Sequence, residues 1–233
     1  MAKARPLTGA SAIALAIVFN VPFSVLAATY NYPDVLRGPP GEALDLFAAG
    51  GAQLIMTWHA FALSALALIP VSIALSLTPQ RVAERPALAI GAAITGALAG
   101  LAQAIGLWRW VFVIPGPARQ HAAGDAETQR AAERAFDILN QYGGVAIGEH
   151  LGQWLTALFI LMLALAQWGE RARISATIGF IATALIAAGT HEGIAIALGQ
   201  PSEIFGLITI AGFMAFTLWL IATGIGLFRA PRA

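Results

Sequence analysis

Tyr142-Gly-Gly-Val-Ala-Ile-Gly-Glu149-His150-Leu-Gly-Gln153-Trp154 is the stretch that decides how this chain folds. Its glycines Gly144, Gly148 and Gly152 recur at every fourth position, and the apolar run continues to Ala166. This spacing places small residues along one side of a helix, where they let two helix backbones approach closely in lipid. We therefore expect a membrane-embedded helix around which the remaining helices assemble.

The composition is that of an integral membrane protein. Of 233 residues, 58% are hydrophobic and 11% are charged, and the mean hydropathy is +0.75. A net charge of +1 gives no concentrated basic surface, so we expect no nucleic-acid partner. The absence of cysteine excludes a disulfide, a thiolate metal site and a cysteine nucleophile.

Six apolar runs are long enough to cross a bilayer, which takes about 20 helical residues. These runs are Thr8–Ala28, Gly51–Leu77, Ala87–Ile114, Gly144–Trp168, Ile174–Leu198 and Ile204–Phe228. They predict an all-α fold for residues 1–233: a single integral membrane bundle of six transmembrane helices.

Two further helices are expected on the outer face. The segment Pro39–Phe47 has prolines followed by acidic residues, which is typical of a helix start. The segment Asp125–Gln141 places Ala132 and Phe136 on one face and charged residues largely on the other. This pattern favours short amphipathic helices that lie at the outer membrane interface.

Positive charges predict the orientation, because cytoplasmic loops are enriched in Lys and Arg. Eight of the 13 Lys and Arg residues fall in one set of loops and termini, and four fall in the opposite loops. The first set includes Lys3, Arg81 and Arg171, so we expect both termini to be cytoplasmic.

Ionisable side chains from four predicted spans fall at a similar depth near the outer face. Such residues are costly in hydrocarbon and usually mark ligand or ion pathways. The candidate site residues are Arg109, Glu149, His150, His191, Glu192 and His59, with Gln53 and Gln153 as further hydrogen-bonding partners.

Four interpretations of this constellation remain open. In the first, Arg109 pairs with Glu149 or Glu192 as a purely structural clamp, and the histidines serve only as hydrogen-bonding residues. In the second, the side chains form a pocket for a small or amphiphilic ligand that enters from the outer leaflet, with Arg109 meeting an anionic head group.

The other two interpretations are catalytic and transport roles. His59, His150 and His191 with one glutamate are suitable zinc ligands, which would make the protein a metal-dependent intramembrane enzyme. A proton or small-solute transporter is the last alternative, although it needs polar groups in the inner half as well. No phosphate-binding loop or serine nucleophile motif is found, so the catalytic residues and cofactor are left unassigned.

Three stretches give the chain a resemblance to a known family. They are Tyr32-Pro-Asp-Val-Leu-Arg-Gly-Pro-Pro-Gly-Glu42, Gly106-Leu-Trp-Arg-Trp-Val-Phe-Val-Ile-Pro115 and Asn140-Gln-Tyr-Gly-Gly-Val-Ala-Ile-Gly-Glu-His-Leu-Gly152. The chain resembles a family of bacterial polytopic membrane proteins, domain of unknown function 4386. The resemblance implies a multi-pass protein of the bacterial cytoplasmic (inner) membrane, with membrane lipid as a partner. It implies no reaction, cofactor or oligomeric state.

Overall fold

The computed structural model describes residues 5–229, which form a helical bundle without a β-strand. Six helical stretches in this part of the chain are long and apolar enough to cross a membrane. They are Pro6–Tyr30, Pro40–Ser76, Pro86–Ala123, Ala126–Gly169, Arg173–Ala197 and Glu203–Arg229. The predicted all-α bundle with six candidate spans is therefore confirmed.

Several of these stretches consist of more than one helix. The α-helices are α1 (Pro6–Tyr30), α2 (Pro40–Ser76), α3 (Pro79–Glu84), α4 (Pro86–Phe112), α5 (Pro115–Ala123), α6 (Ala126–Leu139), α7 (Gly152–Gly169), α8 (Arg173–Gly189), α9 (His191–Ala197) and α10 (Glu203–Arg229). A 3-10 turn covers Asp34–Arg37, and a π-helical segment, Asn140–Leu151, joins α6 to α7.

Helices form in both segments that were predicted to lie at the outer interface. One begins at Pro40 and bends at Gly51, whose φ of 53° and ψ of −144° interrupt the helical backbone inside α2. The other, α6, begins after Asp125, whose side chain accepts a 2.9 Å hydrogen bond from the Thr128 amide. Each continues into a candidate span. Their location at a membrane interface stays a prediction.

Two local features differ from the sequence prediction. Helix α5 was not predicted, since the third predicted span ends at Ile114. Its prolines lie in the first turn, where proline is tolerated. The fifth predicted span is broken at Thr190, between α8 and α9. This break frees the Thr190 carbonyl, which accepts a 3.0 Å hydrogen bond from His150 Nδ1.

The glycine stripe makes a close helix contact, the kind of contact that its spacing predicted, and the partner is α4. A Cβ atom on Gly106 of α4 would lie only 2.6 Å from the Cα atom of Gly148, so the two backbones are in direct contact. On either side of this contact, Gly144 packs against Arg109 and Gly152 packs against Gln103. The stripe is, however, largely π-helical rather than α-helical. Such segments are rare and occur frequently at functional sites.

The two ends of the bundle are built differently. At the end that contains Arg81, here called the Arg81 end, the Arg81 guanidinium binds both carboxylate oxygens of Glu170, with an Nη2–Oε2 distance of 2.7 Å. Arg85 Nη1 also donates to the Ala166 carbonyl at 2.9 Å. The opposite end, which contains Arg37 and is called the Arg37 end, holds a large aromatic cluster.

Stacked and edge-to-face rings form the centre of this aromatic cluster. Trp58 and Trp110 stack with centroids 4.8 Å apart, and Tyr30 meets the Trp110 ring edge-on at 5.5 Å. Both tryptophans are fully buried. Phe47 and Phe136 extend the cluster to the start of α2 and to α6. Offset and edge-to-face pairs are the favoured aromatic geometries, so this cluster ties α1, α2, α4 and α6 together.

Candidate functional site

A cavity of about 520 Å³ lies inside the bundle at the Arg37 end. Its lining on α10 extends from Glu203 to Met214, about 16 Å along the helix at about 1.5 Å per residue. The opposite walls come from α1, α2, α4 and the π-helical segment. The cavity is therefore elongated along the bundle axis, with a polar region and an apolar region.

Aromatic side chains line the apolar region. Phe19 and Phe23 of α1, Phe61 of α2 and Phe213 of α10 all border the cavity. The Phe19 ring stacks on Phe213 with centroids 5.9 Å apart and meets Phe61 edge-on at 5.1 Å. This region suits a hydrocarbon chain or another apolar group, because rings and aliphatic groups pack favourably.

The first and the last described helices, α1 and α10, form a seam beside the cavity. Near the Arg81 end they touch: a Cβ on Gly9 would lie 2.7 Å from the Gly224 carbonyl oxygen. Farther along, Asn20 donates to Thr217 Oγ1 at 2.9 Å. The Asn20–Thr217 hydrogen bond and the Phe19–Phe213 stack are the last polar and aromatic contacts between the two helices within residues 5–229. Beyond these contacts, toward the Arg37 end, both helices border the cavity.

Side chains on the outside of α10 connect this cavity to the surface of the bundle. Leu207 and Met214 both border the cavity, and they are 63% and 54% exposed, respectively. Because these side chains belong to a candidate membrane span, their exposed surface is of the kind that faces lipid.

Arg37 joins the two glutamates of the polar region. Its Nη2 lies 2.7 Å from Glu149 Oε2, and its Nε lies 3.1 Å from Glu192 Oε1. Burial lowers the pKa of the Arg37 guanidinium, but the two carboxylates outweigh burial and raise that pKa above its ordinary value. The predicted pairing of Arg109 with Glu149 or Glu192 is therefore wrong, since the 3-10 turn before α2 brings a loop arginine to these glutamates instead.

We expect the Arg37–Glu149 pair to contribute coupled rather than independent stabilisation. Arg37→Met and Glu149→Gln should each lower the free energy of unfolding, and the double variant should lose less than the sum of the two single losses, by about 1 kcal/mol. The side chains are 29% and 24% exposed, so solvent screens the pair only partly. Denaturant unfolding of the four proteins in detergent measures the coupling; strict additivity would contradict it.

Arg109 is buried, and its hydrogen-bond partners within residues 5–229 are neutral. It is 8% exposed, its Nη2 donates to Asn140 Oδ1 at 3.1 Å, and its Nη1 donates to the Gly106 carbonyl. The guanidinium carbon also lies 5.1 Å from the centre of the Trp110 ring. Its Nε has no hydrogen-bond partner among the described residues. Among the residues that the structure describes, no carboxylate comes within 4.0 Å of this guanidinium.

The π-helical segment explains how Arg109 is accommodated. A Cβ atom on Gly144 would lie 2.5 Å from Arg109 Nη2, so a larger residue there would displace the guanidinium from its observed position. The same segment supplies Asn140, whose own amide donates to the Leu36 carbonyl at 3.2 Å. The stretch that decides the fold therefore also holds the buried cation.

The three histidines of the predicted metal site do not come together. His59 Nδ1 pairs with Trp108 Nε1 at 3.3 Å, and His191 Nδ1 pairs with the Ala188 carbonyl at 3.1 Å. His150 is held by the break after α8, as described above. Within residues 5–229, no group of three or more His, Asp or Glu side chains has a geometry suitable for a metal ion. The predicted set His59, His150 and His191 is therefore wrong as a metal site.

The structure divides the eight predicted site residues into two groups. Those that border the cavity are Arg109, Glu149, Glu192 and Gln153. Those that do not are His59, His150, His191 and Gln53, and the Gln53 side chain is on the exposed surface of α2. Any ligand-binding role of these residues stays a prediction.

Residues outside the predicted set also form polar clusters. Arg37 was assigned to an outer loop and was not predicted as a site residue. The signal that could have found it is its place in the stretch Tyr32–Glu42, which carries part of the family resemblance. His121 lies between Asp45 and Glu133, with its Nδ1 2.8 Å from Asp45 Oδ1 and its Nε2 3.2 Å from Glu133 Oε1. This second cluster joins α2, α5 and α6, and it was missed because α5 was not predicted.

Comparison with known proteins identifies the family. No curated protein and no solved structure matches the chain. The model of the family described as domain of unknown function, DUF4386, matches residues 7–224. The match covers all six candidate spans except the extreme ends of the first and the last. The chain is therefore a member of the DUF4386 family of membrane proteins.

Proposed function

We propose that this protein binds an amphiphilic ligand in the cavity at the Arg37 end. In this proposal an anionic group of the ligand meets Arg109, and its apolar part lies along the rings of Phe19, Phe61 and Phe213. The protein is proposed to act in the bacterial inner membrane, with both termini in the cytoplasm and the Arg37 end at the outer leaflet.

The buried guanidinium of Arg109 is the observation that carries this proposal. Taking a cation out of water costs several kcal/mol, and proteins usually recover this cost with a buried carboxylate. Among residues 5–229, Arg109 has only the Asn140 amide, a backbone carbonyl and an aromatic face as partners. An anionic group in the adjoining cavity would supply the missing counter-charge with charge-assisted hydrogen bonds.

The seam between α1 and α10 supports entry of the ligand from lipid. Beyond the Asn20–Thr217 hydrogen bond both helices border the cavity, and Leu207 and Met214 extend from it to the surface of the bundle. A lateral route of this kind lets a chain leave the bilayer without exposing its hydrocarbon to water. It therefore favours a lipid-like ligand over a small polar solute.

The test compares Arg109→Met with the control variant Arg173→Met. Arg173 lies at the start of α8 and contacts the Trp168 ring, so the control also removes an arginine that lies against an aromatic ring. Native mass spectrometry of protein purified in mild detergent and incubated with a single-chain alkyl phosphate should show a bound molecule. We expect Arg109→Met to lower the affinity at least about tenfold, since charge-assisted hydrogen bonds are among the strong ones. Arg173→Met should bind as the unchanged protein does.

A purely structural role is the second candidate. It is favoured by the Arg37 bridge, because the 2.7 Å and 3.1 Å contacts already neutralise part of the charge of Glu149 and Glu192. Under that alternative the alkyl phosphate does not bind, and the loss of Arg109 changes only stability. Thermal unfolding of both arginine variants separates the two candidates, because the binding role requires lost affinity in protein that still unfolds cooperatively.

A further inference from the structure

We infer that the head group of the ligand is zwitterionic, with its anionic part at Arg109 and an ammonium group at the carboxylates of Glu149 and Glu192. This inference rests on the proposed function and adds the chemical class of the ligand. It assigns opposite charges to two parts of the same polar region.

The first observation concerns the charges that border the cavity. Four acidic residues and two basic residues line it, which leaves a formal excess of two negative charges; the residues are Asp34, Arg37, Arg109, Glu149, Glu192 and Glu203. Arg37 is engaged with Glu149 and Glu192, whereas Arg109 lies more than the ion-pair distance of 4.0 Å from every carboxylate in the described part of the chain. The polar region is thus divided into a buried positive part and a more accessible negative part.

The carboxylates retain free acceptor oxygens. In the described part of the chain, Arg37 reaches only Oε2 of Glu149 and Oε1 of Glu192, and the other oxygen of each carboxylate accepts no hydrogen bond from protein. An ammonium group has three donors and no acceptor. It therefore complements these oxygens and reduces the negative excess, which a second anionic group would increase.

The Arg109 guanidinium borders the cavity without a counter-charge within 4.0 Å among residues 5–229. In the same described residues its Nε lacks a hydrogen-bond partner. Buried donors are normally satisfied, and a cation forms its strongest hydrogen bonds with an anionic acceptor. The anionic part of the ligand is therefore assigned to Arg109.

Ligands with a single charge satisfy only one part of the site. A cationic amphiphile would leave Arg109 without a counter-charge. An anionic amphiphile would place its charge in a wall that already has a negative excess, and it would leave the free carboxylate oxygens unpaired. A phosphate or carboxylate joined by a short linker to an ammonium group satisfies both parts, as in an aminoalkyl phosphate lipid.

Two probes with the same acyl chain isolate the ammonium group. Lysophosphatidylethanolamine carries both charges, and its N-acetyl derivative keeps the phosphate and the chain but has no ammonium. Binding is measured by native mass spectrometry, with the change in total tryptophan fluorescence, to which Trp58 and Trp110 at the cavity contribute, as a check. We expect the zwitterionic probe to bind about tenfold more tightly, as hydrogen bonds to a charged group imply.

The Glu192→Gln variant tests the assigned carboxylate, and Glu84→Gln is its control on the exposed helix α3 near the Arg81 end. Glu192→Gln should lower the affinity ratio of the two probes and leave only the share due to Glu149, whereas Glu84→Gln should keep the ratio near ten. Equal affinities in the unchanged protein, or a ratio that stays near ten in Glu192→Gln, would overturn the inference while leaving amphiphile binding intact.

The source of the head group is decided in the same assay. If neither probe binds, the proposed function itself fails and the zwitterion inference falls with it. Glycerophosphoethanolamine, which has the head group without an acyl chain, should not displace the probe, because the apolar wall then has no partner. Displacement at a concentration similar to that of the lipid would overturn the assignment of a membrane-derived ligand.

Discussion

Replacing Trp110 by alanine should lower the free energy of unfolding by about 3–5 kcal/mol, the range measured for large aromatic side chains removed from protein cores. Trp110 is 0% exposed and stacks on Trp58 at 4.8 Å. It also meets Tyr30 edge-on and contacts Phe47 and Phe136. Its removal leaves a void next to the existing cavity, and surrounding rings cannot collapse into it without losing these contacts.

Equilibrium unfolding in mixed micelles of a mild detergent and dodecyl sulfate measures this loss. Trp154→Ala is the matched control, because Trp154 is 40% exposed on the surface of α7 and its removal opens no interior void. We expect the control to change stability by only about 0.5 kcal/mol. Similar losses in the two variants would mean that the aromatic cluster is not the centre of stability at the Arg37 end.

Replacing Gly106 by alanine should cost about 1–3 kcal/mol, the usual range for forcing additional atoms into a packed interior. The new Cβ would lie 2.6 Å from Gly148 Cα and 3.0 Å from the Gly143 carbonyl oxygen. Both neighbours are backbone atoms of the π-helical segment, so no side-chain rotation relieves the clash. The segment must move away from α4, and Arg109 loses its close packing against Gly144.

Gly226 provides the control for this substitution. It lies in α10, and a Cβ added there meets no atom within 4 Å. Gly226→Ala should therefore be neutral or stabilising by up to about 1 kcal/mol, because alanine favours a helix more than glycine does. The same unfolding assay applies to both. A Gly106→Ala protein as stable as the unchanged one would contradict the close contact of the two backbones.

The sequence predicted the parts of the fold that depend on local composition. Apolar runs of sufficient length located all six candidate spans, because only helices satisfy their own backbone hydrogen bonds in a bilayer. Glycine spacing predicted a close helix contact at the stripe, but not that Gly106 of α4 would be the partner of Gly148. The π-helical hydrogen bonding of this stripe was not predicted either, because the spacing of small residues fits an α-helix.

Side-chain partners were less predictable, because they depend on how the loops fold back. Depth along the spans placed Arg109, Glu149 and Glu192 around one cavity, but it could not show that Arg37 would reach the glutamates. Arg37 belongs to a four-residue 3-10 turn whose direction depends on tertiary packing. Similar depth also suggested convergence of the histidines. Instead, His59 pairs with the Trp108 indole, His150 with the Thr190 carbonyl, and His191 with the Ala188 carbonyl of its own span.

Irregular backbone is concentrated at one level of the bundle. Gly51 interrupts α2, the π-helical segment precedes α7, and Thr190 separates α8 from α9, all toward the Arg37 end. The opposite half has continuous α-helices that are tied by the Arg81–Glu170 ion pair. The Arg37 end should consequently deform more easily than the Arg81 end. Expansion of the cavity on ligand binding would occur at these three irregular positions. Their amide hydrogens should exchange with deuterium earlier than those of the continuous helices at the Arg81 end.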